Sequence, residues 1–243
     1  MRHALTALVL GGLALVCGLS TAGDKKESKD TKGIVYHISG KDVLWVPKPS
    51  KSGHQWDVGM ATMDEKNPSL LAFTGAKGKD AELVNKKSGS VDLCTEEKYG
   101  DLILEVEFMV PKGSNSGIYM MGEYEVQVFD SFGKADDKLN GGDLGAIYSA
   151  AVPKVNAAKK PGDWQKFVID FTAPRFADTK KIAPARFNRV ELNGKLIHEN
   201  VEMKGPTPGG LTGKEHAVGP VMFQGDHGPV AFRNIKISYR QTR

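Results

Sequence analysis

The sequence predicts an all-β fold, a sandwich of two antiparallel sheets. Three observations predict it. No amphipathic segment of helical period and useful length occurs. Short runs of alternating polar and apolar residues recur instead, each ended by Gly, Pro, Asn or Asp. Asn193-Gly194 joins two such runs, and both residues tolerate the positive φ of a type I′ hairpin turn.

The elements follow in chain order. Met1 to Ala22 reads as a secretory signal, removed on export. Arg2 and His3 precede an apolar run from Ala4 to Leu19, and Ser20-Thr21-Ala22 supplies small residues at cleavage spacing. The run is shorter than the ~20 residues a membrane span needs. Lipid attachment at Cys17 is disfavoured, because Val16 stands where a small residue is expected. Residues 23–32 interleave Lys with Asp24, Glu27 and Asp30 and read as a polar linker. Residues 33–243 then form a single domain. Trp45 and Trp56 suggest packing in its first part, which is otherwise hard to read.

Leu102, Leu104, Val106 and Phe108 alternate with Ile103, Glu105, Glu107 and Met109, a strand ended by Pro111-Lys112-Gly113. Tyr124, Val126 and Val128 alternate with Glu123, Glu125 and Gln127, which places an acid-acid-amide row on one face of a strand near the middle of its sheet. Phe167, Ile169 and Phe171 mark another strand. Phe187 to Leu192 and Lys195 to His198 flank the Asn-Gly turn, and Pro220 to Gln224 and Val230 to Tyr239 close the domain. The core should take Leu104, Val106, Phe108, Tyr124, Val126, Val128, Phe167, Ile169 and Phe171. Two long loops, Asp136 to Gly142 and Ala150 to Gly162, interrupt the pattern.

Composition excludes some classes. The chain carries a net charge of +4, too balanced to argue for nucleic acid. Cys94 is the one cysteine beyond the leader, so no internal disulfide can form after processing, and a small buried apolar role suits it better than a nucleophilic one. No His-x-x-x-His, His-x-His or Cys-x-x-Cys pair occurs, so local spacing gives no zinc site. Calcium on loop oxygens is compatible with a sandwich, but no cofactor is assigned and the metal ligands are unknown. Gly-x-Ser-x-Gly and phosphate-loop motifs are absent.

Paired carboxylates remain. Glu123 and Glu125 in one strand would have Cα atoms about 6.5–7 Å apart, compatible with either a retaining or an inverting glycosidase. Asp226-His227-Gly228-Pro229 sets an imidazole beside a carboxylate in a turn between two strands. That suits acid–base work near neutrality, although the segment by itself reads first as a surface turn.

Taken together, Thr95 to Asp101, Asn115-Ser116-Gly117-Ile118-Tyr119 and Tyr124-Glu125-Val126-Gln127-Val128 resemble the 3-keto-disaccharide hydrolase domain family. Gly145-Ala146-Ile147-Tyr148, Pro161-Gly162-Asp163-Trp164, Arg186 to Gly194 and Asp226-His227-Gly228 follow in that family's order. The sequence departs from the family pattern at Gly225, inserted before Asp226-His227, and matches it poorly from Trp45 to Gly89.

The resemblance implies a concanavalin-like jelly roll, exported to the periplasm or the extracellular space. It implies action on glycosides already oxidised at carbon 3, by removal of the acidified carbon-2 proton, elimination of the aglycone and addition of water. A separate sugar oxidase would supply the keto substrate. The expected site carries Glu125 and His227 as proton-transfer groups. Glu123, Gln127, Asn115 and Tyr148 would contact sugar hydroxyls, and Trp164 would offer a flat apolar platform. Asp130 would orient His227, bind a cation or cap a turn. The two long loops should enclose Glu125. A non-catalytic glycan-binding module and a direct glycosidase stay open as alternatives.

Overall fold

A computed structural model describes residues 34–38, 41–48, 54–75 and 81–239. The expected secretory signal and polar linker, residues 1–32, lie outside the described residues. Among the described residues, sixteen strands run in order: β1 (Ile34–Ile38), β2 (Lys41–Pro47), β3 (Trp56–Met63), β4 (Leu71–Thr74), β5 (Glu82–Asn85), β6 (Leu93–Thr95), β7 (Leu102–Met109) and β8 (Asn115–Met120). There follow β9 (Tyr124–Phe129), β10 (Gln165–Thr172), β11 (Arg175–Ala177), β12 (Lys180–Ala183), β13 (Arg186–Leu192), β14 (Lys195–Glu202), β15 (Met222–Phe223) and β16 (Val230–Tyr239). The helical content among the described residues is a 3-10 turn at Asp136–Lys138. No helix there is long and apolar enough to cross a membrane.

The strands form two antiparallel sheets. The smaller has the order β1-β2-β6-β15-β8-β9, and the larger β14-β13-β10-β7-β16-β5-β3-β4; β11 and β12 make a separate hairpin. The two sheets meet through their alternate apolar residues. Leu104, Val106, Phe108, Tyr124, Val126, Val128, Phe167, Ile169 and Phe171 are all buried in one cluster, as the alternation predicts. Aromatic rings join the layers: Trp45 of β2 stacks on Phe223 of β15 at 4.6 Å, and Phe223 stacks on Phe232 of β16 at 4.0 Å. Asn193 and Gly194 have φ of 52° and 79°, the two positive values a type I′ turn requires between β13 and β14. Cys94 is buried beside Tyr119 and Met222, and burial pushes its thiol up to about 12.

One expectation changes. The Tyr124–Phe129 strand is the edge of the smaller sheet, paired through β8 on its inner side. Its outer side is completed by loops. The Gln127 N–H donates to Ala146 O, the Gly145 N–H to Gln127 O and the Tyr148 N–H to Glu125 O. Alternation reports which faces are buried and carries no information on how many strands lie to either side. His198, buried under this cap, donates from Nε2 to Gly145 O at 2.8 Å.

Candidate functional site

The β9 face that alternation marks as polar is not solvated. Glu125 is 3% exposed and Gln127 6%. They line a cleft of about 210 Å³ together with Asn115, Tyr119 and Gln224 on its floor. Tyr148, His227 and the Pro208-Gly209 pair form its rim.

Each side chain is placed by its strand register. Tyr119 of β8 faces Glu125 across the ladder, and Gly117 faces Gln127. The Glu125 carboxyl leans over Gly117: a Cβ there would come within 2.3 Å of its Oε1. Glycine at position 117 therefore makes room for the acid. The Tyr119 hydroxyl hydrogen-bonds to Glu125 and accepts from the Gln224 amide at 3.3 Å.

Burial raises the Glu125 carboxyl to about 7. The Tyr119 hydrogen bond opposes that rise, and the negative charges of Asp92 and Asp226 add to it. Tyr119 is held far above its ordinary value by burial and by Glu125, so its hydroxyl keeps its proton. Two amide oxygens at this cleft, Asn115 Oδ1 and Gln127 Oε1, are buried and have no hydrogen-bond partner among the described residues. Buried polar atoms left unpaired are costly, and a hydroxyl-bearing ligand would satisfy them.

The Asp226-His227 turn is fixed from beneath. Asn85, fully buried, donates its amide to Gly225 O at 2.9 Å and Gly228 O at 2.8 Å. Asp92 accepts the Gly225 N–H at 3.0 Å. The inserted Gly225 is thus built into the turn, where a Cβ would strike Val91 O at 2.2 Å. His227 Nδ1 meets Asp226 Oδ1 at 2.5 Å, and the imidazole is half exposed at the cleft.

The roof comes from residues 207–213. Thr207 accepts the Glu125 N–H and donates to Glu123 O. Lys48 reaches Asp92 at 3.3 Å and the carbonyls of Gly209 and Gly210 at 3.2 and 3.3 Å. This roof replaces the enclosure expected from the two long loops. Asp136 to Gly142 instead braces its neighbour, through Asp136 accepting the Asn156 N–H.

Of the residues singled out from the sequence, Glu125, Gln127, Asn115, Tyr148 and His227 share the cleft. Three do not. Glu123 sits in the turn before β9, where its carboxylate takes the Thr212 N–H, the Thr212 hydroxyl and the Gly213 N–H and so anchors the roof. The Glu123–Glu125 carboxylate pair therefore does not straddle one substrate. Asp130 caps a turn, accepting the Gly113 and Phe132 N–H groups. Trp164 packs on the outer face of the larger sheet, with the Arg233 guanidinium 3.9 Å from its ring centroid, and offers the cleft no platform. Among the described residues, no group of three or more His, Cys, Asp or Glu side chains is arranged to hold a metal ion.

Sequence reasoning missed Tyr119, Gln224, Asp92, Lys48 and the Pro208-Gly209 roof. Tyr119 had a signal: it lies two residues beyond Gly117 and so projects from the same face. Gln224 stands two residues before Asp226, at the entry to the turn already singled out; the others come from distant segments, and no local pattern marks them.

The model of the 3-keto-alpha-glucoside-1,2-lyase-like domain family matches residues 33–238. No curated protein matches the chain. Among solved structures, a provisionally named glycosyl hydrolase from Parabacteroides distasonis is 27% identical, with 86% of this chain and 84% of that chain covered and a TM-score of 0.60. A second such protein from the same organism is 20% identical, with 81% and 99% covered and a TM-score of 0.49.

Proposed function

This chain belongs to the 3-keto-alpha-glucoside-1,2-lyase-like domain family, and from that membership and the Glu125 cleft we propose that it cleaves 3-keto-glycosides. The coarser statement, a carbohydrate-active enzyme or binding module, is supported by the family and by the 27%-identical structure. The finer reading rests on one observation: a buried carboxyl held near 7 beside unpaired hydrogen-bonding groups. A base matched to neutral pH suits a carbon acid, whose proton is released far less readily than that of a hydroxyl.

In the proposed reaction, the Glu125 carboxylate takes the proton from carbon 2, next to the keto carbon. The electrons of that C–H bond move into the ring as an enolate. They then expel the group on carbon 1, which leaves with its bonding pair and gains a proton. Water next adds its hydroxide to carbon 1 and a proton returns to carbon 2, so the net change is hydrolysis. Tyr119, kept protonated, gives its one O–H to the Glu125 carboxylate and so would hold the base in position. His227 at the rim is the second candidate for proton transfer, with Asp226 orienting its ring. Gln127, Asn115 and Tyr148 would bind sugar hydroxyls. The keto substrate would come from a separate sugar-oxidising enzyme, and a secretory signal at Met1 to Ala22 would put the site of action outside the cytoplasm.

The test offers a glycoside and its 3-keto derivative in parallel. Release from the keto sugar alone is the expected result. Saturable binding without release would make the protein a glycan-binding module, and equal cleavage of the plain glycoside would make it a direct glycosidase. Glu125→Gln and His227→Asn then apportion the proton transfer. Two folded variants with wild-type turnover would refute the assignment.

A further inference from the structure

Two parts of the cleft's rim are tied to a carboxylate that lies outside the cleft. Asp92 is buried just before β6 and Lys48 stands just after β2, where the Lys48 N–H donates to Asp92 O at 2.8 Å. The two carboxylate oxygens are committed in different directions. Oδ1 accepts the Gly225 N–H at 3.0 Å, and Oδ2 meets Lys48 Nζ at 3.3 Å. The first arm holds the turn that carries His227, at the very residue inserted into that turn. The same segment ties the turn a second time, because the Gly89 N–H donates to Asp226 O at 3.0 Å. The second arm reaches the roof, since Lys48 Nζ also donates to Gly209 O and Gly210 O. Gly209 and His227 both border the cleft. A buried ion pair is a weak source of stability, because desolvation offsets its attraction. What this one fixes is geometry.

We propose that Asp92 is a positioning residue for the proton-transfer site, holding the His227 turn with one oxygen and, by way of Lys48, the roof over Glu125 with the other. The proposal rests on the reading of Glu125 and His227 as the proton-transfer groups. Asp92 does not line the cleft, so it acts through what it holds. Its charge adds a separable effect. The groups facing Glu125 are Tyr119 from β8, Asp92 from the start of β6, and Asp226 and His227 from the turn. Lys48 lies beyond Asp92, and Glu123 is turned to Thr212 and Gly213. The Asp92 and Asp226 charges both raise the Glu125 carboxyl. Removing the Asp92 charge lowers it and leaves the Lys48 ammonium unopposed, which lowers it further.

Asp92→Ala removes both arms, whereas Asp92→Asn keeps an oxygen for the Gly225 N–H and removes the charge. Hydrogen exchange reads the two walls without catalysis. In Asp92→Ala the amides of residues 207–213 and 225–228 should exchange about tenfold faster, as the loss of a buried hydrogen bond on each arm implies, with β7 and β10 unchanged. Asp92→Asn should speed exchange in the roof alone, and it carries the test if Asp92→Ala does not fold. Unchanged exchange in the roof of either variant, or faster exchange throughout the chain, would overturn the proposal. On methyl 3-keto-glucoside, kcat should fall about tenfold in Asp92→Ala. Asp92→Asn should recover part of that loss, with the acid limb of its pH–rate profile at lower pH than in the wild type. A limb that does not move, or wild-type kcat in Asp92→Ala, would also overturn it. If the wild type does not turn over methyl 3-keto-glucoside, the proposed reaction falls, and hydrogen exchange alone decides whether Asp92 holds both walls.

Discussion

Replacing Glu125 by Gln should stabilise the protein, and the gain should depend on pH. The carboxyl ordinarily titrates at 4.5 and is held at about 7 in the folded chain, chiefly by burial. Below about pH 4 it is protonated in both the folded and the unfolded states, and it costs nothing. As pH rises from 4.5 to 7 the unfolded chain loses this proton first, so wild-type stability falls through that window. Above 7 the cost is complete. At about 1.4 kcal/mol per pH unit, the rise from 4.5 to about 7 amounts to roughly 3 kcal/mol. The amide of the Glu125→Gln variant carries no charge and escapes this cost. Urea denaturation of wild type and variant across pH 4 to 8 measures the difference, and the other titrating groups largely cancel between the two proteins. The variant's advantage should grow by about 3 kcal/mol from pH 4 to pH 8. A difference that stays constant with pH would refute the claim that Glu125 is held near neutrality. The same carboxyl should give kcat/KM an acid limb near pH 7, because the base must be ionised to act.

Gly117→Ala should leave the fold intact but displace the Glu125 carboxyl, since the added Cβ would stand 2.3 Å from Oε1; a loss in kcat/KM of about 100-fold is expected on 3-keto-glucoside. Lys48→Met removes the cation shared by Asp92, Gly209 O and Gly210 O. KM should rise, and the acid limb of the pH–rate profile should move to higher pH because the Asp92 charge is no longer offset. Trp164→Ala should cost about 1–3 kcal/mol of stability from the lost Arg233 stacking and packing, with KM unchanged, as measured by denaturation and steady-state kinetics.

The architecture was legible where one face of a strand is dry. Leu102 to Met109 and Val230 to Tyr239 were found with the bounds the structure gives them, because their inward residues report burial directly. The Asn193-Gly194 turn was legible because few residue pairs accept two positive φ values. Glu125 and Gln127 are legible as a row and the enclosure of Glu125 is expected, but its source is not, since it comes from the roof at residues 207–213 and the cap at 145–148. Glu123 shares their period and was read with them. Its turn sits one residue before the strand, and its carboxylate is spent on the backbone of Thr212 and Gly213. Trp164 misled for a similar reason. An aromatic after Pro161-Gly162-Asp163 looks like an exposed platform until Arg233, far along the chain, is seen over its ring.

The edge position of β9 has a consequence for how this protein can change. Glu125 uses its own backbone O to hold Tyr148, and its own N–H is held by Thr207, so the acid and two walls of its cleft are one mechanical unit. A loop exchanged at either wall must reproduce those two hydrogen bonds or it will tilt the strand beneath the acid. Side chains around the cleft can therefore change more freely than the backbone of the cap and the roof, which must keep its course for Glu125 to keep its place.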